Sequence, residues 1–347
     1  MATQGTKSRA RRGRYDSLIL FWVVILGAAA VGAVVLQAEG PIGPIDENTF
    51  VTPKKPAPPA PPPGSVAAPD LALQEAAPDF PGRMLPQIGP NGRTPAAAYA
   101  APFDITDKHP KVALVIAGLG LDQDQTLHVI NDLPGAVDIA YSPYMPEAHV
   151  DKLLARARAA GHECLASIPM EPSGFPLTEE GAHALLTGAD PEQNRQNLEW
   201  ALSRVPGCVG ATGASDGLMG ERYAQTGLGF AALLAETSKR GLIYLDPRTG
   251  APALTDAPVG TYVADLVIDA APNADEPMTA DLIDRRLALL AKIAAEHGSA
   301  IGLAGPPRAI LLERIAVWLH SLPARGITLV PLTAIPAPPP KPADDQQ

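Results

Sequence analysis

Between residues 110 and 335, short runs rich in apolar and β-branched residues alternate with longer stretches whose apolar positions recur at helical spacing. That alternation restricts the fold to parallel strands joined by right-handed helical crossovers, closed as a barrel or left open and doubly wound. The strand candidates are Val112 to Ala117, Val137 to Tyr141, Glu163 to Ile168, Cys208 to Ala211, Leu242 to Leu245, Tyr262 to Ile268, Ala300 to Ala304 and Thr328 to Val330. Helices are expected between them. Pro146 to Ala160 carries Val150, Leu153, Leu154 and Ala157 on one face and meets a stop at Gly161, and Pro191 to Arg204 and Ala280 to Glu296 behave likewise. No glycine-rich phosphate loop follows the first strand, which removes the commonest reason to prefer an open nucleotide-binding sheet, so the barrel is the expectation. Gly118, Gly120 and Gly305 read as sharp turns or close backbone approaches. No repeat of the solenoid kind is present.

The flanks have a different composition. The chain holds 39 Pro, concentrated in residues 41 to 110 and 336 to 340, so residues 38–109 read as a Pro-rich disordered tether and residues 336–347 as a disordered tail. Before the tether, Ser17 to Leu36 is apolar throughout, long enough to span a bilayer core, and preceded by Lys7, Arg9, Arg11, Arg12 and Arg14. Residues 1–16 are therefore expected in the cytoplasm, residues 17–37 as a single transmembrane anchor, and residues 110–335 as one domain on the periplasmic side of the inner membrane. A cleaved signal peptide, with Ala28 to Ala30 as the processing site, is the alternative, and it exports the domain equally. A net charge of -10 argues against nucleic acid as a partner. The two cysteines, Cys164 and Cys208, lie in strand-like runs and read as small buried hydrophobes, with a disulfide as the alternative that export would permit.

In a barrel of this kind, function sits at the C-terminal ends of the strands. The segments there are Gly118 to Asp122, Pro169 to Pro172, Asp216 to Arg222, Asp246 to Thr249, Asp269, and Gly305 to Pro307. Together with AGHECLASIPMEP at 160–172, the frame from Leu186 to Leu198, MGERY at 219–223, YLDPRTG at 244–250, GSAIG at 298–302 and a terminal LVPL, these segments resemble the divergent polysaccharide deacetylase family. The resemblance runs from about Lys111 to Ile335. It implies a deformed (β/α) barrel of about seven parallel strands, related to enzymes in which an Asp and two His hold a divalent metal that activates water against an acetyl amide.

The departures from that pattern fall on the chemistry. Ala117 and Gly118 stand where the family has two consecutive Asp; Leu218 stands for the His before Met-Gly; Ser167 and Gly305 or Ala304 stand for two further His. Alanine, glycine and leucine offer no lone pair to a metal. His128, His149, His162, His183 and His320 lie in helix-like segments or their edges, and His162 is at the N-terminal, structural end of its strand. No catalytic residue and no cofactor is therefore assigned.

What remains at the expected site face is Glu171, Asp216, Arg222, Asp246, Arg248 and Asp269, taken as the substrate-binding candidates, with Asp246 and Arg248 expected at the barrel mouth near Glu171 and Asp269. Carboxylates and Arg forks bind sugar hydroxyls, so a glycan groove could outlast the metal. The purely structural reading of Asp246 and Arg248 is a loop-ordering salt bridge. The expectation is a membrane-anchored binding or regulatory pseudoenzyme whose partner is envelope polysaccharide or an envelope protein. Two alternatives stay open: an active deacetylase or esterase with zinc or another divalent metal on Asp122, Asp216, Asp246 and Asp269, and a scaffold recruiting partners through its Pro-rich segments.

Overall fold

The computed structural model describes residues 21–27, 64–251, 257–269 and 278–336. The chain divides into two units, residues 1–59 and 60–347. In the first, residues 21–27 are helical with exposed side chains; the rest of the expected anchor lies outside the described residues. Among the described residues, no helix is long and apolar enough to cross a membrane.

The second unit is built on a curled parallel sheet, consistent with a deformed (β/α) barrel. Its strands are β3 (Lys111–Leu119), β4 (Asp138–Tyr141), β5 (Cys164–Ser167), β6 (Gly210–Thr212), β7 (Ile243–Asp246), β8 (Thr261–Val263), β9 (Leu266–Val267), β10 (Ser299–Ala304) and β11 (Thr328–Leu329). The order is β8-β7-β6-β5-β4-β3-β10-β9, with β11 beside the start of β3. β8 bonds β7 and β9 bonds β10. Only Ala264 and Asp265 separate the two edge strands, and their amides bond Asp246 O and Ile301 O, so the stretch read as one strand, Tyr262 to Ile268, runs between both edges.

Side-chain parity explains the layers. Ala113, Val115 and Ala117 of β3 pack inward with Leu165, Leu245, Ile301 and Leu303, whereas Val112, Leu114 and Ile116 face the helices. Because both faces of β3 are covered, its sequence is apolar at nearly every position instead of alternating. The helices are α1 (Gln123–Asp132), α2 (Glu147–Ala160), α3 (Pro191–Arg204), α4 (Gly227–Lys239), α5 (Ala280–His297) and α6 (Ala309–Ser321). Asp122, Asp190 and Thr279 cap α1, α3 and α5 with side-chain oxygens, and Gly161 ends α2 in the left-handed region at φ 94°.

The expected disordered tether is shorter than the sequence suggested. Residues 64–103 pack on the barrel, forming the antiparallel pair β1 (Gln74–Ala76) and β2 (Met84–Pro86). Val66, Leu73, Leu85 and Tyr99 are buried. Arg240, itself buried, ties this strap to the helices through Glu75 (2.8 Å), Glu199 (3.2 Å) and Glu236 (2.8 Å). Three-residue strands among prolines have no period of their own to read; their order comes from docking.

The strap and the last described residues meet at the N-terminal end of the strands. There the buried Glu163 accepts bonds from Ala101 N (2.8 Å), Thr333 N (3.3 Å) and the Thr333 hydroxyl, while the buried Asp138 beside it accepts from Leu332 N at 2.9 Å. Burial, and then the neighbouring Glu163 carboxylate, push the Asp138 carboxyl well above its ordinary range. His162 is fully buried at the same end, its ring nitrogens facing Val137 O (2.7 Å) and Ile130 O (3.1 Å). Cys164 and Cys208 form a disulfide, correcting the reading of two independent buried thiols: β5 and β6 are parallel neighbours with Leu165 opposite Gly210, so Cys164 and the residues just before β6 fall at the same end of the sheet.

Candidate functional site

Three loops close over the C-terminal end of the strands, and each relies on glycine. β3 bulges between Ile116 and Leu119, with Gly118 at φ 80°. A Cβ placed there would sit 3.3 Å from Pro306 Cα and 3.4 Å from Asp216 Cα. Gly305, at φ 132°, lies so close to β3 that a Cβ would overlap the Ala117 carbonyl. A Cβ on Gly217 would stand 3.2 Å from Pro306 Cδ. The loops after β3, β6 and β10 are therefore in backbone contact at the mouth.

Polar groups surround this closure. Ser167 Oγ, pointing inward from the end of β5, is buried without a hydrogen-bond partner. Glu180, on the loop between β5 and α3, is 8% exposed, and neither carboxylate oxygen has a partner of hydrogen-bonding geometry. Its burial pushes it up to about 8; the Ser215 hydroxyl and the Met170 N–H pull the other way, and Glu221 and Asp216 add to the rise. Both groups stand outside hydrogen-bond geometry, and the carboxyl is unpartnered. Asp269 accepts from Gly305 N at 3.1 Å. Burial raises it to about 6 against the pull of that amide and of Arg308 and Arg286.

The six sequence candidates are divided by the fold. Asp216 is exposed at the mouth with φ 42°, a left-handed conformation that side-chain residues seldom adopt. Asp269 joins it through the Gly305 loop. Glu171 and Arg222 form a pair on the rim: Glu171, 2% exposed, accepts from Arg222 Nε (2.9 Å), Thr187 N (2.7 Å) and Thr187 Oγ1 (2.8 Å), and about half of the Arg222 side chain stays in solvent. Beside it, α3 and α4 flank a groove of about 760 Å³ lined by Thr187, Asn194, Tyr223 and Leu228 among others.

Asp246 and Arg248 pair with each other at the C-terminal end of β7, on its helix side. Asp246 shares the parity of Tyr244, which faces α4, while Ile243 and Leu245 fill the barrel. Its carboxylate accepts from Arg248 Nε (3.0 Å) and Nη2 (2.6 Å), and the guanidinium lies 4.9 Å from the Phe230 ring and bonds Ala224 O. They are neighbours of each other, but among the described residues no hydrogen bond or ion pair joins them to Glu171 or Asp269.

Ser167, Ser215 and Glu180 are the mouth residues absent from the sequence-derived set. Glu180 stands in no motif, and only its interruption of a loop between Pro172 and Pro191 could have drawn notice. Among the described residues, no group of three or more His, Cys, Asp and Glu side chains comes together in a way that could hold a metal ion. Ala117, Gly118 and Leu218 supply no donor, and a Cβ at Gly118 would crowd Pro306 at 3.3 Å. The residues present do not fit the divalent ion that the family resemblance implies.

A family model described as divergent polysaccharide deacetylase matches residues 114–335. Among solved structures, an uncharacterized protein from Agrobacterium tumefaciens C58 is similar at 29% identity and TM-score 0.65, over 73% of this chain and 99% of that one. The catalytic domain of a peptidoglycan N-acetylglucosamine deacetylase from Eubacterium rectale is similar at 14% identity and TM-score 0.40, over 66% of this chain and 91% of its own. Among curated proteins, nothing matches the chain.

Proposed function

The chain belongs to the divergent polysaccharide deacetylase family, and we propose that it serves there as a binding or regulatory member without the hydrolytic metal. The observation that carries this reading is Gly118, which has no side chain to offer where a first ligand would stand and is closely approached by Pro306 and Asp216. We place the protein in the inner membrane through one N-terminal segment, with the barrel in the periplasm. The Cys164–Cys208 disulfide supports that compartment, since such bonds persist where the surroundings are oxidising. The ligand is envelope polysaccharide, held at the rim by the half-exposed Arg222, by Asp216 and Asp269, and by the polar edge of the groove between α3 and α4.

Purified full-length chain tests this directly. It should hold no stoichiometric transition metal, release no acetate from chitooligosaccharide with or without added zinc, and co-sediment with peptidoglycan in a way that Arg222→Ala weakens. A tightly held metal or zinc-dependent acetate release would overturn the non-catalytic reading. Failure to co-sediment would overturn the glycan ligand.

A further inference from the structure

α1 and α6 are neighbours around the barrel, and between them runs a groove of about 480 Å³. Its floor is apolar, from Val129 and Leu133 on one side and Leu312 and Ala316 on the other. Its rim carries four carboxylates, Asp122, Asp124, Asp132 and Glu313, and no Lys or Arg lines it. His128, the remaining ionisable lining residue, is 3.3 Å from Asp132. The nearest guanidinium on α6 is committed: Arg314 grips Asp284 of α5 through two bonds, at 2.7 and 2.6 Å. Arg308, exposed between the lining residues Pro307 and Ala309, acts electrostatically on Asp269.

We propose that this groove is a docking surface for a basic amphipathic helix of a partner protein. Apolar anchors would enter between α1 and α6 while Lys or Arg on the flanking positions meet the four carboxylates. The dimensions suit it. α1 is 10 residues long, or about 15 Å at 1.5 Å per residue, enough to accompany anchors at i, i+3 or i+4 and i+7. Acidic groups on both walls select against an acidic or neutral helix.

The groove also borders the mouth. Asp122 ends the loop that starts at Gly118, Pro307 follows Pro306, and Gln125 Nε2 bonds Pro307 O across the head of the groove. A helix seated here would rest on two of the three loops that close the strand ends, so a partner could bear on the site face without entering it.

The test uses the full-length chain and three labelled 14-residue peptides: a Leu/Lys amphipathic helix, a Leu/Glu helix of the same pattern, and a Lys/Ser peptide of equal charge. Anisotropy should show the Leu/Lys peptide binding at least tenfold more tightly than either other peptide. Leu312→Glu, and separately Asp124→Lys with Glu313→Lys, should each weaken it at least tenfold while the thermal melt stays cooperative. Equal binding of the Lys/Ser peptide, unchanged affinity in folded variants, or no binding of the Leu/Lys peptide would each overturn the proposal. If Leu312→Glu does not fold, the exposed double variant decides alone.

Discussion

Replacing Gly118 by Asp restores the residue type that the family pattern has at this position, and the structure predicts a cost without a gain. Gly118 lies at φ 80°, where an L side chain costs about 1–2 kcal/mol. The new Cβ would start 3.3 Å from Pro306 Cα and 3.4 Å from Pro306 Cβ, so the proline loop must shift by a few tenths of an ångström before the carboxylate is accommodated. Together these give a destabilisation of about 2–3 kcal/mol, or roughly 4–12 °C in Tm for a folded unit of this size. Gly118→Ala carries the same positive φ and the same Cβ, so it should cost nearly as much. The double variant Gly118→Asp, Leu218→His should release no acetate from chitooligosaccharide in the presence of zinc, because ligands need supporting hydrogen bonds as well as lone pairs. Calorimetry and an acetate assay on the same preparations check both halves. An unchanged melt for Gly118→Asp would refute the steric reasoning, and zinc-dependent acetate release by the double variant would refute the functional one.

Leu85→Ala, at the one fully buried position of β2 in the strap, should cost about 2–5 kcal/mol by denaturant unfolding; a change below 0.5 kcal/mol would mean that the strap is not part of the fold. Glu180→Gln should flatten the dependence of Tm on pH between about 4.5 and 8, because a carboxyl whose folded value is raised to about 8 stabilises the fold fully at low pH and loses that contribution as pH rises through this window; superimposable wild-type and variant curves would contradict it. Reduction of the Cys164–Cys208 bond, whose cysteines are 44 residues apart, should lower stability by roughly 4 kcal/mol on the chain-entropy estimate, measured as a drop in the denaturation midpoint with dithiothreitol. Asp246→Ala leaves the Arg248 guanidinium without its carboxylate against Phe230, so stability should fall by about 1–3 kcal/mol while peptidoglycan co-sedimentation is unchanged; loss of co-sedimentation in a folded variant would return Asp246 to the ligand-binding surface.

The barrel was legible because its strands are buried on both faces and so stand out as unbroken apolar runs. The stretch Tyr262 to Ile268 reads as a single strand but divides at Ala264 and Asp265 into β8 and β9 on opposite edges. Helices with a clear apolar face, such as α2 with Val150, Leu153, Leu154 and Ala157, could be bounded to within a residue. α4 was harder, since Gly227 and Gly229 open it and Leu228 is almost fully exposed. Residues 64–103 were hidden by a composition shared with the flanking prolines. The disulfide was readable in principle: Glu163 to Ile168 and Cys208 to Ala211 are consecutive strand candidates, and pairing them in parallel sets both cysteines at the same end. At the site, the glycines signalled close approach, but not what approached. Glu180 acquires its character from burial by Met170 and the β6 loop, distant in sequence, and no local pattern encodes that. The side on which Asp246 projects was not legible, because one residue of strand parity separates the barrel interior from the helix layer.

Glu163 receives hydrogen bonds from Ala101, where the strap leads into the barrel, and from Thr333, near the last described residues, 232 residues apart by their numbering. If either segment peels away, a buried carboxylate loses bonds and the partner segment loses its acceptor's best geometry. Independent peeling of the strap's end and of the segment around Thr333 is thereby suppressed. The amides of Ala101, Leu332 and Thr333 belong to one cooperative opening unit, and they should exchange with solvent at the slow rate of the barrel core instead of the fast rate usual for chain ends.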